Sequence, residues 1–255
     1  MKTVQELFDT LCAFAPPELQ MDFDNAGFLI GHSGAPVNRV LLALDVTQDV
    51  IEEALEKGAQ LIVSHHPVIF NPVRSITDQS PEGRRLLRLI ETGLSVISMH
   101  TNLDIAPDGV NDVLIRLLGA EPDRALDENG CGRIGILPQP TPLSDFLTRC
   151  RNALPANGLR YVDAQRPVQR IAVLGGSGAD SLSRAAALGC DTFVTADIGY
   201  HVFQSALDFE INLIDADHFG TEHPVILSLQ DRLQKAHPDV DFMVSDHHAI
   251  IRFIR

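Results

Sequence analysis

The chain has 255 residues, enough for two domains of ordinary size, and 45% of them are apolar, which excludes a disordered polypeptide. Its formal net charge of −14 opposes phosphate backbones and argues against nucleic acid as a broad-surface partner. Nowhere does the chain approach the ~18 consecutive apolar residues of a membrane span.

The N-terminal stretch "MKTVQELFDTLCAFAPP" is amphipathic and contains acidic residues and no small-residue cleavage site. It predicts a first helix rather than a signal peptide. A cytoplasmic protein is the expectation, with Cys12, Cys131, Cys150 and Cys190 reduced and partly buried. Next, "DFDNAGFLIGH" (residues 22–32) combines Asp22, Asp24, Asn25, two glycines and His32, and reads as a turn lining a site.

Residues 39–66, "RVLLALDVTQDVIEEALEKGAQLIVSHH", then align without a gap to residues 170–197, "RIAVLGGSGADSLSRAAALGCDTFVTAD". Each is an aliphatic run, a polar turn, an Ala/Leu helix closed by Gly, and a second aliphatic run, the grammar of a β-α-β unit. Both halves go on in the same order. "LSVISMHTNLD" corresponds to "INLIDADHFGTE", and the amphipathic "GVNDVLIRLLGA" to "PVILSLQDRLQKA". The first half adds a Pro- and Asn-containing loop, "PVIFNPVRSITDQ", after its double histidine. Two similar α/β domains are therefore predicted, residues 1–127 and 128–255, joined through the polar stretch 121–132.

Ligands of α/β sheets gather at the carboxyl ends of strands. Four such ends here carry polar residues: Ser64-His65-His66, His100 to Asp104, Thr195 to Asp197, and Asp215 to Glu222. Imidazoles and carboxylates are ligands for Zn, Mn, Fe or Ni alike. Two neighbours on an extended strand point to opposite faces, so His65 and His66 can share a metal site only if the strand stops there, which Pro67 encourages. "HTNLD" and "HFGTE" both read His-x-x-x-acid, and at a helix start His218 and Glu222 share a face. The alternatives are a helix cap or an ordinary strand-end hydrogen bond. "VLGGSGAD" lacks the spacing of a phosphate loop and reads as a tight β-α turn. His247-His248 reads as structural or interfacial. No G-x-S-x-G elbow occurs, and no cysteine sits at a strand end near a histidine. Metal-activated hydrolysis is the better chemical fit.

"DNAGFLIG", "SHHPVIF", "HTNLD", "TADIGYH" and "DHFGTE" together resemble the NIF-three-like family, whose members carry the name GTP cyclohydrolase I type 2 homologue. The resemblance spans essentially the whole chain. It implies a pair of similar three-layer α/β domains, related by internal duplication, with a dinuclear metal site in the cleft between them and assembly into a homohexamer. Its metal ligands fall on His65, His66, Asp104, His218 and Glu222, with Glu222 as the bridging carboxylate. His100 then touches ligand or substrate, and His100 or His201 could move protons. Ala196 stands where the family usually has Gly. The implied function is hydrolysis of a small polar substrate, a nucleotide among the candidates, by two divalent cations per subunit. The alternative is a metal-binding oligomeric scaffold or regulatory protein without turnover.

Overall fold

The structure, a computed structural model, describes residues 1–247. His248 of the His247-His248 pair lies outside the described residues. The chain forms two compact units, one built from residues 1–106 and 226–247, the other from residues 107–225.

The first unit begins with β1 (Lys2–Thr3) and α1 (Val4–Phe14). Thr3 starts the helix through a capping box, its hydroxyl accepting from the Glu6 N–H while the Glu6 carboxylate accepts from the Thr3 N–H at 2.8 Å. There follow β2 (Gly27–Ile30), β3 (Pro36–Val37), β4 (Arg39–Ala43), α2 (Gln48–Glu56), β5 (Leu61–Ser64), α3 (Pro81–Thr92), β6 (Ser95–Ser98) and the short α4 (Thr101–Ile105). The loop predicted after the double histidine occupies the interval between β5 and α3 with no regular element. Ser80 caps α3, Pro81 supplies its first turn, and Gly93 ends it with φ of 71°.

The second unit contains α5 (Val110–Leu117), β7 (Glu121–Ala125), β8 (Arg133–Thr141), α6 (Leu143–Ala153), β9 (Arg160–Val162), β10 (Val168–Ser177), α7 (Leu182–Ala187), β11 (Thr192–Ala196), α8 (Tyr200–Asp208), β12 (Asn212–Asp215) and the short α9 (His218–Glu222). The chain then returns to the first unit along α10 (Pro224–Ala236), where β13 (Asp241–Val244) is the last strand among the described residues. The division differs from the expected one at residue 127. Residues 121–132 read as a linker because they are polar, yet β7 pairs antiparallel with β8 across that stretch. Further on, β13 pairs in parallel with β4, so residues 241–244 complete the first sheet. Glu53 of α2 fixes that return, its carboxylate accepting from Ser245 Oγ at 2.5 Å, the Asp246 N–H at 2.9 Å and Lys57 Nζ at 2.6 Å.

The five-stranded sheet runs β13-β4-β5-β6-β2, and the six-stranded sheet runs β7-β8-β10-β11-β12-β9. Their parallel centres repeat in register. Val40, Leu41 and Leu42 face Leu61, Ile62 and Val63, while their aligned counterparts Ile171, Ala172 and Val173 face Thr192, Phe193 and Val194. The next pairing repeats as well, Leu61 with Ser95 and Thr192 with Asn212. In each sheet an antiparallel strand, β2 or β9, closes the far edge. A one-residue slip would turn every side chain to the other face, so shared register through two successive pairings supports the internal repeat.

Alternate residues of the second sheet feed two cores. Ile171, Val173, Val194 and Ile214 pack with Leu114 of α5 and Phe146 of α6. Ala172, Phe193 and Leu213 pack with Leu182 of α7 and Ala206 of α8. A sheet buried on both faces is the three-layer arrangement of parallel α/β folds. In the first sheet Leu41, Ala43, Ile62 and Val96 pack against Ile51 of α2 and Leu86 and Leu89 of α3. Val40, Leu42, Leu61 and Val63, whose side chains alternate to the opposite face, are also buried. Among the described residues no helix is long and apolar enough to cross a membrane. The four cysteines are free thiols, and burial pushes Cys150 up to about 12 and Cys190 to about 11, so both stay protonated at neutral pH.

Candidate metal centre

Strand β5 stops at Ser64, so His65 and His66 follow its carboxyl end, as the sequence required for both to serve one site. Backbone bonds hold them: the His65 N–H donates to Ala43 O at 3.3 Å and the His66 N–H to Leu44 O at 2.9 Å. The rings have not gone to opposite faces, because their centroids are 5.0 Å apart. His100, two residues past β6 and in the cap position of α4, joins them at 5.2 Å from His65 and 5.7 Å from His66. One ring nitrogen from each of the three lies within 4.8 Å of the others, spacing that could hold a metal ion.

Each imidazole is held by Nδ1. His65 Nδ1 meets Met99 O at 2.8 Å, His66 Nδ1 meets Asp45 Oδ1 at 2.7 Å, and His100 Nδ1 meets Asp24 Oδ1 at 2.7 Å. A carbonyl or an ionised carboxylate only accepts, so Nδ1 carries a proton, and when a ring is neutral its lone pair is on Nε2. Metal-binding histidines carry this arrangement, the outer acceptor fixing tautomer and ring direction. His65 is fully buried, with Nε2 3.7 Å from Asp104 Oδ1 on α4.

Asp24 is buried and does two jobs. Besides His100, it accepts from the Thr101 N–H at 3.0 Å and the Thr101 hydroxyl at 2.6 Å, anchoring the start of α4. Burial acts to raise its carboxyl, but the bonds from His100 and Thr101 and the charge of His100 outweigh it and bring it down to about 2. A carboxyl held below its unfolded value contributes stability above pH ~4, and loses it as pH falls toward 2. Asp24→Asn should therefore cost about 2 kcal/mol at neutral pH, with the difference from wild type shrinking as pH falls toward 2. Denaturant titrations of the metal-free protein across that range measure it; a pH-independent difference would reject the assignment.

The second unit carries a smaller group. His218 opens α9 and lies 3.0 Å from Glu222 through Nε2 and Oε2, one turn on. Its Nδ1 is held by Asp197 Oδ2 at 2.7 Å. A neutral ring with its proton on Nδ1 would set two lone pairs against each other at 3.0 Å, so this pair calls for a second proton or a cation. The backbone makes room for it. A Cβ on Gly176, where φ is 66°, would sit 2.1 Å from Glu222 Oε1 and 3.2 Å from His218 Nε2. Asp197 and Asp217 have φ of 56° and 68°, a left-handed conformation uncommon for non-glycine residues and typical of functional strand ends. The donor set, the Nδ1 anchors and the cradle at Gly176 fit divalent cations.

Five of the seven sequence-derived candidates thus fall into two local groups, His65, His66 and His100 in one and His218 and Glu222 in the other. Asp104 adjoins His65. His201 lies on the exposed first turn of α8, and its ring makes no hydrogen bond with these residues. The anchoring role of Asp45 went unrecognised in the sequence, where nothing but its position just past a strand marks it.

A two-unit α/β protein with imidazoles and carboxylates at its strand ends is the class that fold and site define. The model of the Duf34/NIF3 (NGG1p interacting factor 3) family matches residues 2–249, and the chain belongs to that family. It is 36% identical over 241 residues to a Clostridium acetobutylicum protein named GTP cyclohydrolase 1 type 2 homolog, covering 91% of this chain and 90% of that one. A Clostridium perfringens protein of the same name is 32% identical over 250 residues, covering 95% of each. Among solved structures, a Bacillus cereus protein related to NIF3 superposes with a TM-score of 0.90 at 24% identity, over 99% of both chains. Reduced HcgD from Methanocaldococcus jannaschii does so with a TM-score of 0.87 at 26% identity, over 96% of this chain and 98% of that one.

Proposed function

We propose that the protein is a metal-dependent hydrolase of a small polar substrate, with His65, His66, Asp104, His218 and Glu222 as ligands of two divalent cations per chain. The observation that carries this is the set of four imidazoles, each held through Nδ1 by a carbonyl or carboxylate, the outer anchor that metal-binding histidines carry. Glu222, with two carboxylate oxygens, is suited to bridge cations, which an imidazole cannot do. Bound divalent metal supplies an activated water and an electrophile that polarises the scissile group. The protein's own contribution is orientation: Asp45, Asp24, Asp197 and Met99 O aim the rings, and buried His65 excludes bulk water from its side of the site. His100, paired with Asp24, is placed to hold or move a proton at Nε2. The relatives' names make a nucleotide such as GTP the first substrate to try.

The test is a reaction screen over nucleotides and phosphoesters with Zn, Mn, Fe and Ni in turn. Turnover that follows the metal and is lost in Glu222→Gln supports the hydrolase. Inactivity with every metal, by protein that nonetheless binds metal, would favour a scaffold. Asp45→Ala should weaken metal binding by ~10–100-fold while leaving every ligand in place, as read by competition with a chromogenic chelator. Unchanged affinity would remove Asp45 from the site.

A further inference from the structure

Two phenylalanine rings stand in water beside the first unit's imidazoles. Phe23 keeps 65% of its surface exposed and Phe70 keeps 44%. They lie on different loops, yet their centroids are 6.5 Å apart and edge-on. Phe70 in turn meets the His100 ring at 6.1 Å and 84°.

The loops are tied down by the residues that build the site. Asn25, two positions from Phe23, donates its amide to Ile69 O at 2.6 Å, and Ile69 directly precedes Phe70. Asp24, next to Phe23, is the residue bonded to His100 and Thr101. The bonds that hold His100 and Asn25 therefore also hold the backbone beside both rings. A phenylalanine left in water forgoes a large part of the ~1.5–3 kcal/mol its burial would give. Together the two rings leave about one side chain's surface open, ~150–250 Å². That is well short of the ~800 Å² per partner of a stable protein interface. One planar ring is of the size that covers it.

We infer that Phe23 and Phe70 form the seat for an aromatic ring of the substrate, a nucleobase or a comparable planar heterocycle, whose polar part then faces the imidazoles. This deepens the hydrolase reading by naming the substrate class, and rests on it only for what the polar part meets. The seat itself belongs to the protein with or without metal.

Calorimetric titration with guanosine, GTP and inorganic tripolyphosphate tests it, on wild type, Phe70→Ala, Phe23→Ala and Phe70→Trp, each assayed metal-free and metal-loaded. Guanosine carries the ring alone and tripolyphosphate the anion alone. The expected result is guanosine and GTP binding weakened by at least about ten-fold in both alanine variants, kept in Phe70→Trp, with tripolyphosphate affinity unchanged throughout. No measurable guanosine binding by wild type, or equal guanosine affinity in wild type and alanine variants, overturns the seat. A change of sedimentation coefficient in the alanine variants also overturns it, because the rings would then be covering a second copy. Metal content, measured on the same samples, separates this from the cation reading: a chain without metal that still discriminates guanosine retains the seat and loses the cations.

Discussion

His65→Ala and Glu222→Gln should each leave a folded protein that no longer holds its full complement of divalent metal. His65 is fully buried and its Nδ1 is engaged by Met99 O, so its removal takes away a donor already held in place. It also leaves the Met99 carbonyl without that donor, a cost of about 1–3 kcal/mol to the metal-free protein. Glu222→Gln keeps the size of the side chain and removes its charge, so the metal-free fold should change little. Both variants should fall from two metal equivalents per chain to one or none, measured by elemental mass spectrometry after stripping and reloading. A thermal melt supplies the independent reading. A ligand present at about 100 times its Kd stabilises the folded state by ~2.7 kcal/mol, so wild type should melt at a distinctly higher temperature with metal than without. The variants should show little or none of that increment. Two equivalents retained in both would remove these residues from the ligand set and, with them, the hydrolase reading.

The β-α-β repeat was legible because its signals are local. Aliphatic runs, Ala/Leu helices and a closing glycine are each readable within a short window, and Gly58 and Gly189 do adopt the left-handed φ of 68° and 75° that such closures need. The return of β13 was not legible, because "DFMV" is a short run whose partner β4 lies at the far end of the chain. The crossing back into the first unit falls inside the continuous helix α10, where no turn or linker composition can mark it. The histidines show a subtler limit. "HTNLD" and "HFGTE" look equivalent, but His100 occupies the cap position of α4 while His218 is the first residue of α9, whose cap is Asp217. Histidines that look equivalent in sequence therefore occupy different structural places. Similarly, His66 aligns with Asp197, and where the first unit presents an imidazole the second presents the carboxylate that aims one. Candidate donor types could be read from the sequence; the anchors Asp24, Asp45 and Asp197 could not be matched to their rings, because only the folded sheet brings those strand ends together.

Gly176→Ala should abolish metal binding at the His218–Glu222 pair although neither ligand is touched. "VLGGSGAD" reads in sequence as an ordinary tight turn, and the structure gives its second glycine a more specific reason. The space a Cβ would take is occupied by the Glu222 carboxylate, 2.1 Å away at Oε1 and 3.1 Å at Cδ. Thr221, next to Glu222, is itself bonded to this backbone, its hydroxyl accepting from the Gly176 N–H at 3.0 Å. Glu222 must therefore rotate away from His218 or push its helix outward, and either movement separates the two donors. The backbone alone costs something too, since φ of 66° disfavours any L side chain by ~1–2 kcal/mol. Gly189→Ala separates the two effects. Gly189 has φ of 75°, and a Cβ there meets nothing within 4 Å, so it carries the backbone penalty with no clash. Both variants should lose similar stability from the backbone in denaturant titrations of the metal-free protein, with Gly176→Ala losing more by the clash. Only Gly176→Ala should lose metal affinity, by at least the ~100-fold at the upper end for displacing a ligand's support. Equal metal affinity in the two would mean that the glycine serves the turn and not the carboxylate.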